Sequence, residues 1–223
     1  MQNIFTISGT NARSLLEEAE GASTALLFVP GTSAGAFSDR FQPLMNAAHA
    51  AGMSLMRMQS WENAQELEKK TIAEVQSEID VALKHLQEKG YKYIVGVGKS
   101  FGGAMMLINQ NSLLAAKVLW SPAISFNEAK DTLGENMNKL LSDIPSIKDV
   151  QVDPEFLSQI MVPVCLIHGT EDDIVPSENS RRMAGALPIG VFVEVNGADH
   201  SWRIAEHEKQ LIEETIKFAQ SVS

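Results

Sequence analysis

The sequence has very little cysteine, since Cys165 is the one such residue among 223. A single cysteine cannot form an intrachain disulfide, so a small disulfide-stapled fold is excluded. Cys165 lies in an apolar run, Val162–Ile167, where free cysteine packs as a small buried side chain. No run approaches the 18 apolar residues of a membrane-spanning helix, and the first twenty residues lack the basic start and apolar stretch of a signal peptide. We therefore expect a cytoplasmic protein without membrane insertion.

Basic side chains are also scarce. The chain has 18 Lys and Arg residues against 28 Asp and Glu residues, which gives a formal net charge of −10. Binding to phosphate groups requires a basic face, so this balance disfavours nucleic-acid partners and anionic membrane surfaces. The hydrophobic share of 44% is ordinary for a folded domain. We expect one domain over residues 1–223 that takes a small-molecule substrate and exists as a monomer or weak homodimer.

Short apolar runs alternate with longer helical patterns along the chain. This alternation predicts an α/β fold with a mostly parallel central sheet and helices on both faces. The predicted strands are Ala25–Val29, Ser54–Met58, Tyr93–Val97, Lys117–Trp120, Val164–His168 and Val191–Val195, with a further edge strand within Asn3–Ser8 and an ambiguous segment at Ser14–Glu20. The predicted helices are Ala64–Gly90, Ser100–Gln110, Ser177–Leu187 and Ile204–Ser221.

One segment departs from this alternation. Ser121–Met161 separates two predicted strands by about 40 residues, more than a single crossover needs. It contains helix-like pieces at Asn127–Leu141 and Asp153–Ile160. The segment is either a small lid over a pocket or an extended crossover with additional turns.

The sharpest local signal is the pentapeptide GKSFG at residues 98–102, which follows a predicted strand and opens a predicted helix. In this context the pattern G-x-S-x-G is typical of a nucleophile elbow, a tight turn that exposes the serine hydroxyl. Gly98 and Gly102 leave room for the neighbouring strand and helix. A phosphate-binding P-loop would need a glycine where Tyr93 stands, so that interpretation is excluded. The candidate nucleophile is therefore Ser100.

Two later loops carry the other groups that a serine nucleophile requires. HGTEDDIVP begins at His168, at the end of a predicted strand, and offers a carboxylate. GADHSW, at residues 197–202, places His200 between the last predicted strand and the last helix. The order serine, carboxylate, histidine is that of an α/β-hydrolase triad. His168 itself is expected to satisfy a backbone group in the interior.

The loop VPGTSAG at residues 29–35 follows a predicted strand and consists mostly of small residues. Its backbone N–H groups can approach a reacting oxygen without obstruction. The N–H groups of Thr32 and of Phe101, the residue after the nucleophile, are the predicted oxyanion hole, with Ser33 as the alternative donor.

Together these motifs resemble the α/β-hydrolase superfamily over nearly the full chain, and are most similar to small, largely uncapped bacterial members related to dienelactone hydrolase and short-chain carboxylesterases. The resemblance implies an α/β-hydrolase fold without a large cap domain. The superfamily pattern H-G-x-x-D-x-x-V-P carries the acid onto Asp172 rather than Asp173. Pro30 departs from the histidine of many members, and dienelactone hydrolases use a cysteine where this chain has Ser100, so that particular activity is not supported.

These residues predict a serine hydrolase that cleaves a small carboxylic ester or thioester through an acyl-enzyme. An amide or peptide hydrolase with the same triad, and a non-catalytic binding protein on the same scaffold, remain alternatives. No histidine shows metal-ligand spacing, so neither a metal nor a cofactor is predicted. The residues predicted to contact substrate are Ser33, Lys99, Trp120 and Trp202, with Phe37, Trp61 and Met105 as further pocket candidates.

Overall fold

An eight-stranded sheet forms the centre of the molecule. The computed structural model describes residues 4–33, 35–124 and 152–223. The strands are β1 Phe5–Thr6, β2 Arg13–Glu17, β3 Thr24–Val29, β4 Ser54–Gln59, β5 Tyr93–Lys99, β6 Leu114–Trp120, β7 Val164–Gly169 and β8 Gly190–Val195. Their order in the sheet is β1-β2-β4-β3-β5-β6-β7-β8, with antiparallel pairing of β1 with β2 and of β2 with β4, and parallel pairing throughout the rest.

Every predicted strand is present, and for β3 to β8 each end lies within three residues of the expected one. Of the predicted edge segment Asn3–Ser8, two residues form β1. The ambiguous segment Ser14–Glu20 contributes a strand, because β2 pairs along its whole length with β4. The prediction of an α/β fold with a mostly parallel sheet is therefore confirmed.

Helices cover both faces of the sheet and enclose two separate hydrophobic layers. The helices of the described residues are α1 Gln42–Ala50, α2 Ala64–Leu67, α3 Ile72–Glu88, α4 Phe101–Ile108, α5 Pro154–Ser158, α6 Ser177–Ala186 and α7 Ala205–Ser221, with a short 3-10 turn at Asp39–Phe41. One hydrophobic layer packs under α1 and α7, and the other under α3, α4 and α6. None of these helices has the length and apolarity needed to cross a membrane.

Two features of the helices differ from the expectation. The single helix predicted over Ala64–Gly90 is divided into α2 and α3, because Thr71 adopts an extended conformation and starts a new helix. The Thr71 hydroxyl accepts from the Glu74 N–H while the Glu74 carboxylate accepts from the Thr71 N–H, which forms a capping box. Helix α1 was not predicted, although Pro43 in its first turn is a recognised helix-start signal.

The long segment Ser121–Met161 can be assessed only at its ends. Residues 122–124 continue from β6, and the predicted piece Asp153–Ile160 contains α5. The other predicted piece, Asn127–Leu141, lies outside the described residues. A lid or an extended crossover over residues 121–161 therefore stays a prediction.

The carboxyl edge of the sheet is the place where the backbone is most unusual. In the parts of the chain that the structure describes, the non-glycine residues with positive φ are Ser100, Ser121 and Trp202. They follow β5, β6 and β8, in that order. Strained conformations of this kind cluster where the surrounding structure holds a functional site. This edge also carries the motifs singled out in the sequence, as expected for ligand binding in an α/β sheet.

Candidate active site

Ser100 occupies a sharp turn between β5 and α4, with φ 51° and ψ −115°. Its N–H donates to the carbonyl of Trp120 and its own carbonyl accepts from Ala123, so the turn is fastened to the end of β6. A side chain at Gly98 would overlap the carbonyl of Gly102. The glycines of the motif thus allow strand and helix to approach closely around Ser100.

Gly102 also allows α4 to approach the end of the neighbouring strand β3. A Cβ atom there would overlap the carbonyl oxygens of Val29 and Pro30, at the end of β3. On the other side of the same contact, a Cβ atom at Gly31 would lie 3.2 Å from the Cβ of Ser100. The loop predicted to stabilise an oxyanion therefore lies directly against the serine.

Three side chains from separate loops form a continuous hydrogen-bonded relay. His200 Nε2 lies 3.0 Å from Ser100 Oγ, and His200 Nδ1 lies 2.8 Å from Asp172 Oδ2. The Asp172 side chain is fully buried, that of His200 is 13% exposed, and Ser100 is 5% exposed. Nδ1 faces a carboxylate and so carries the proton, which leaves Nε2 as the acceptor for the serine hydroxyl. The structure thus brings the three residues predicted from the motifs into contact.

Asp172 is surrounded by hydrogen-bond donors. Its Oδ1 accepts from the N–H groups of Ile174 at 3.0 Å and Val175 at 2.8 Å. Its Oδ2 lies 3.1 Å from His168 Nε2 as well as facing His200. Burial acts to raise the pKa of Asp172, but the bonds from His168 and His200, the charge of His200 and the Val175 N–H outweigh it and hold the pKa well below its ordinary value. The carboxylate is therefore ionised across the neutral range.

The predicted oxyanion loop is anchored by side chains that the motifs do not contain. Trp61 Nε1 donates to the carbonyl of Gly31 at 3.2 Å, and its ring packs edge-on against Phe101 with centroids 5.2 Å apart. The C=O and N–H of a trans peptide point in opposite directions, so this bond turns the Thr32 N–H away from Trp61. Trp61 therefore contacts both segments that would supply oxyanion donors. Of the two candidates in the loop, Thr32 is half-buried and Ser33 is exposed.

Two further side chains on β4 hold the same loop at its far end. Arg57 donates from Nη1 to the carbonyls of Ala36 at 3.1 Å and Ser38 at 3.3 Å, and Gln59 Oε1 accepts from the Ala36 N–H at 3.0 Å. Arg57 is fully buried and its charge is paired with Glu17 at 2.9 Å. Arg57 and Gln59 alternate with the apolar residues Met56 and Met58 in β4, and polar side chains in a buried strand are the signal in the sequence that points to this role.

Lys99 ends β5 and shares the face of Val95 and Val97, which belongs to the layer under α1 and α7. Burial, together with the charge of Arg40, lowers the pKa of Lys99 to about 8, although Asp172 and Asp199 act in the opposite direction. The Arg40 guanidinium donates to the carbonyl of Ser201, beside His200. A contact between Lys99 and substrate stays a prediction.

Two predicted substrate contacts are corrected by the structure. Trp120 is 3% exposed, its Nε1 donates to Thr215 Oγ1 at 2.9 Å, and its ring packs on Phe28. Trp202 is also 3% exposed and belongs to the same hydrophobic layer. Both indoles are therefore core residues of the layer under α1 and α7, and Trp120 is bonded directly to α7 through Thr215.

The further pocket candidates also have partners within the protein. Phe37 receives the guanidinium of Arg13 over its ring at 5.3 Å, and Met105 is fully buried. Across residues 4–33, 35–124 and 152–223, no group of three or more His, Cys, Asp or Glu side chains is arranged to hold a metal ion.

The fold is shared with many solved α/β-hydrolase structures. Est1E from Butyrivibrio proteoclasticus, solved with ferulic acid bound, is 15% identical, with a TM-score of 0.81 over 99% of this chain and 98% of that one. Dienelactone hydrolase from Anabaena variabilis is 15% identical, with a TM-score of 0.74 over 100% and 97% of the two chains. A monoacylglycerol lipase from Paleococcus ferrophilus is 16% identical, with a TM-score of 0.73 over 99% and 100%. The chain thus has the α/β-hydrolase fold.

Sequence comparison gives a different kind of result. No curated protein matches the chain at a significant level. Residues 47–219 match the model of a family described as Uncharacterised protein family (UPF0227). The matched residues contain the serine, the carboxylate and the histidine of the relay, and they begin after the loop that faces Ser100.

Proposed function

The chain belongs to the Uncharacterised protein family (UPF0227), and we propose that it is a serine hydrolase that cleaves a small carboxylic ester or thioester through an acyl-enzyme. The observation that carries this proposal is the relay from Asp172 through His200 to Ser100, with separations of 2.8 and 3.0 Å. A serine hydroxyl in contact with an imidazole that a buried carboxylate orients is the arrangement that nucleophilic catalysis requires.

In the proposed reaction, Ser100 Oγ attacks the acyl carbon as His200 Nε2 takes the hydroxyl proton. The carbonyl oxygen gains the negative charge and accepts hydrogen bonds from the N–H groups of Thr32 and Phe101. Collapse of the tetrahedral intermediate breaks the bond to the leaving group, and the proton on His200 passes to that alcohol or thiol. Water then repeats the sequence at the acyl-enzyme, which releases a carboxylic acid and restores the Ser100 hydroxyl.

The structure of the carboxylate side supports these roles. Asp172 is ionised and fully buried, so it can stabilise the imidazolium that forms at His200 in each half-reaction. Phe101 is the first residue of α4, where the helix dipole favours developing negative charge. The neighbours in the structure comparison include an esterase with bound ferulic acid and a monoacylglycerol lipase, which supports an ester as the first substrate class to examine.

The decisive experiment is release of p-nitrophenol from acyl esters of rising chain length, with the wild-type protein and Ser100→Ala measured in parallel. We expect turnover that falls at least about 10³-fold in the variant. A fluorophosphonate should label the wild-type protein at Ser100 and leave the variant unlabelled. Equal turnover by both proteins would remove Ser100 from the mechanism.

Substrate preference is tested on the same preparation. Acyl p-nitroanilides and acyl thioesters with matched acyl groups separate an amide hydrolase from an ester or thioester hydrolase. We expect the oxygen esters and thioesters to be hydrolysed faster. Faster cleavage of the anilides would instead indicate an amide hydrolase that uses the same relay.

A further inference from the structure

We propose that His168 is a positioning residue for the acid of the relay. Its Nε2–H donates to Asp172 Oδ2, the same oxygen that accepts from His200, and so weakens the interaction between the carboxylate and His200. This inference rests on the proposed function, in which His200 is the general base. His168 was expected from the sequence to satisfy a backbone group. The structure shows that it also contacts the triad carboxylate.

The surroundings of the His168 ring specify where its proton lies. The side chain is fully buried, and Nε2 is 2.9 Å from the carbonyl of Val175 and 3.1 Å from Asp172 Oδ2. Both atoms are acceptors, so Nε2 must carry a hydrogen. Nδ1 is 2.7 Å from the hydroxyl of Ser180, which is also fully buried. In the neutral ring the Ser180 hydroxyl donates to Nδ1 and so favours the tautomer with the hydrogen on Nε2.

His168, Val175 and Asp172 form a closed arrangement. Val175 donates its N–H to Asp172 Oδ1 and accepts at its carbonyl from His168, so each of the three holds the other two. His168 ends β7 together with Gly169, whereas Asp172 lies three residues into the following loop. The bond therefore ties the loop that carries Asp172 to the end of the sheet. It also explains the four-residue spacing between the histidine and the acid in HGTEDDIVP.

The second imidazole changes the chemistry of the carboxylate as well as its position. Asp172 Oδ2 faces two imidazole N–H groups, and Oδ1 faces two backbone N–H groups. Each donor withdraws charge from the carboxylate, so loss of the His168 donor should make Asp172 more basic. A more basic carboxylate stabilises the His200 imidazolium more strongly. The pKa of His200 should then rise, and proton transfer from His200 to the leaving group should become slower.

Other charged groups face the relay and must be held constant in any test. Lys99 approaches from the end of β5 and interacts with Asp172, and Asp199 precedes His200 on its own loop. Arg40 contacts the carbonyl of Ser201 from the turn before α1. None of these groups is altered when His168 is replaced, so a difference between variants reports on the His168 contact itself.

The test uses three variants of the full chain. His168→Phe keeps an aromatic ring of similar volume and removes the donor. His168→Gln keeps an N–H donor close to the position of Nε2. His85→Phe is the matched control, because His85 lies in the last turn of α3, where its ring packs against Phe5 of β1. The measured quantity is the midpoint of the His200 titration, followed through its ring C–H signals by NMR. All spectra are recorded in a Ser100→Ala background, so no turnover is needed.

We expect the His200 midpoint to rise by about half a pH unit or more in His168→Phe, to return toward the unmodified value in His168→Gln, and to stay unchanged in His85→Phe. With Ser100 intact, the acid limb of kcat/KM should move in the same direction, since activity requires neutral His200. A role confined to packing would lower stability and leave the midpoint where it is, which would overturn the proposal.

Two provisions keep the outcomes distinct. If His168→Phe does not fold, Ser180→Ala takes its place. It retains the ring and removes the hydroxyl that favours the Nε2–H tautomer, so a smaller rise in the same direction is expected. An unmoved midpoint in folded Ser180→Ala would contradict the inference. Failure of the proposed function would appear separately, as ester turnover that does not depend on Ser100, while the NMR titration would still report on His168.

Discussion

On one side of Ser100 stand the side chains of His200 and Asp172, and on the other lies the loop that contains Gly31, whose Thr32 N–H is proposed to serve the oxyanion hole together with the Phe101 N–H. The first side is bound together by hydrogen bonds among the reacting groups themselves. The second is held from outside, because Trp61 binds the Gly31 carbonyl from beyond the end of β4. The chemistry of a catalytic side chain can be read from its residue type in the sequence. A backbone N–H donor has no such signal, because its position is fixed by residues elsewhere in the chain.

The comparison with the family follows the same division. The matched residues, 47–219, include the acid–base side and also the β4 side chains that hold the loop. The loop itself, at residues 29–35, and the residues 36–38 that the β4 side chains bind both precede the match. The side chains that anchor the loop thus lie within the residues that match the family, whereas the loop itself lies outside them. Experiments that separate the two sides of Ser100 therefore test more than the identity of the nucleophile.

The largest effect is expected from the acid. Asp172→Asn should lower kcat by about 10⁴-fold, because the amide oxygen would face the backbone donors of Ile174 and Val175 and its NH2 group would face His200 Nδ1, which favours the wrong tautomer and no longer stabilises the imidazolium. Asp173→Asn is the matched control, with an expected change in kcat below about threefold, since the hydrogen bond to His200 comes from Asp172. Steady-state ester hydrolysis measures both. A larger loss of kcat in Asp173→Asn than in Asp172→Asn would show that Asp173, and not Asp172, is the acid of the relay.

The next effect is expected where the two sides meet. Gly102→Ala would press a methyl group into the carbonyls of Val29 and Pro30, both backbone atoms that cannot rotate away. We expect a loss of about 2–3 kcal/mol in the free energy of unfolding by urea, together with lower kcat as the oxyanion loop is displaced. Gly185→Ala in α6 is the control, because nothing lies within 4 Å of the added atom. It should be neutral or stabilising by up to about 1 kcal/mol. Equal unfolding midpoints in the two variants would show that the close approach at Gly102 is unimportant.

A smaller effect is expected on the oxyanion side alone. Trp61→Phe keeps much of the packing on Phe101 and removes the donor to the Gly31 carbonyl. We expect kcat to fall about tenfold with little change in KM, because the loop serves the transition state rather than ground-state binding. Trp120→Phe removes an indole N–H that bonds Thr215 in the core. It should cost about 1 kcal/mol of stability and leave kcat unchanged. If the two variants have the same kcat, Trp61 does not position the oxyanion loop.

The same contrast explains what the sequence could predict. The strands and the relay were accessible because each depends on local patterns, namely apolar runs and short motifs at strand ends. The anchoring role of Arg57 and Gln59 depends on contacts with residues 19 to 23 positions away in the chain, and no motif marks such a contact. Trp120 was misassigned for a related reason. An aromatic residue at the end of a strand beside the site can point to either face of the sheet. For Trp120, the packing under α7 determines which face it takes.

The acid–base side should also contribute to stability in a way that depends on pH. The pKa of Asp172 is lower in the folded protein than in the unfolded chain, so its stabilising contribution is complete above the unfolded pKa of about 4 and is lost as the pH falls through the folded value. Between pH 5 and pH 2 we expect wild-type protein to lose about 1–2 kcal/mol more in the free energy of unfolding than Asp172→Asn does. Asp173→Asn should retain the wild-type dependence. Urea unfolding at four pH values between 2 and 5 measures the difference. If the free energy of unfolding has the same pH dependence in the wild-type protein and in Asp172→Asn, the donors around this carboxylate orient it without stabilising its charged form.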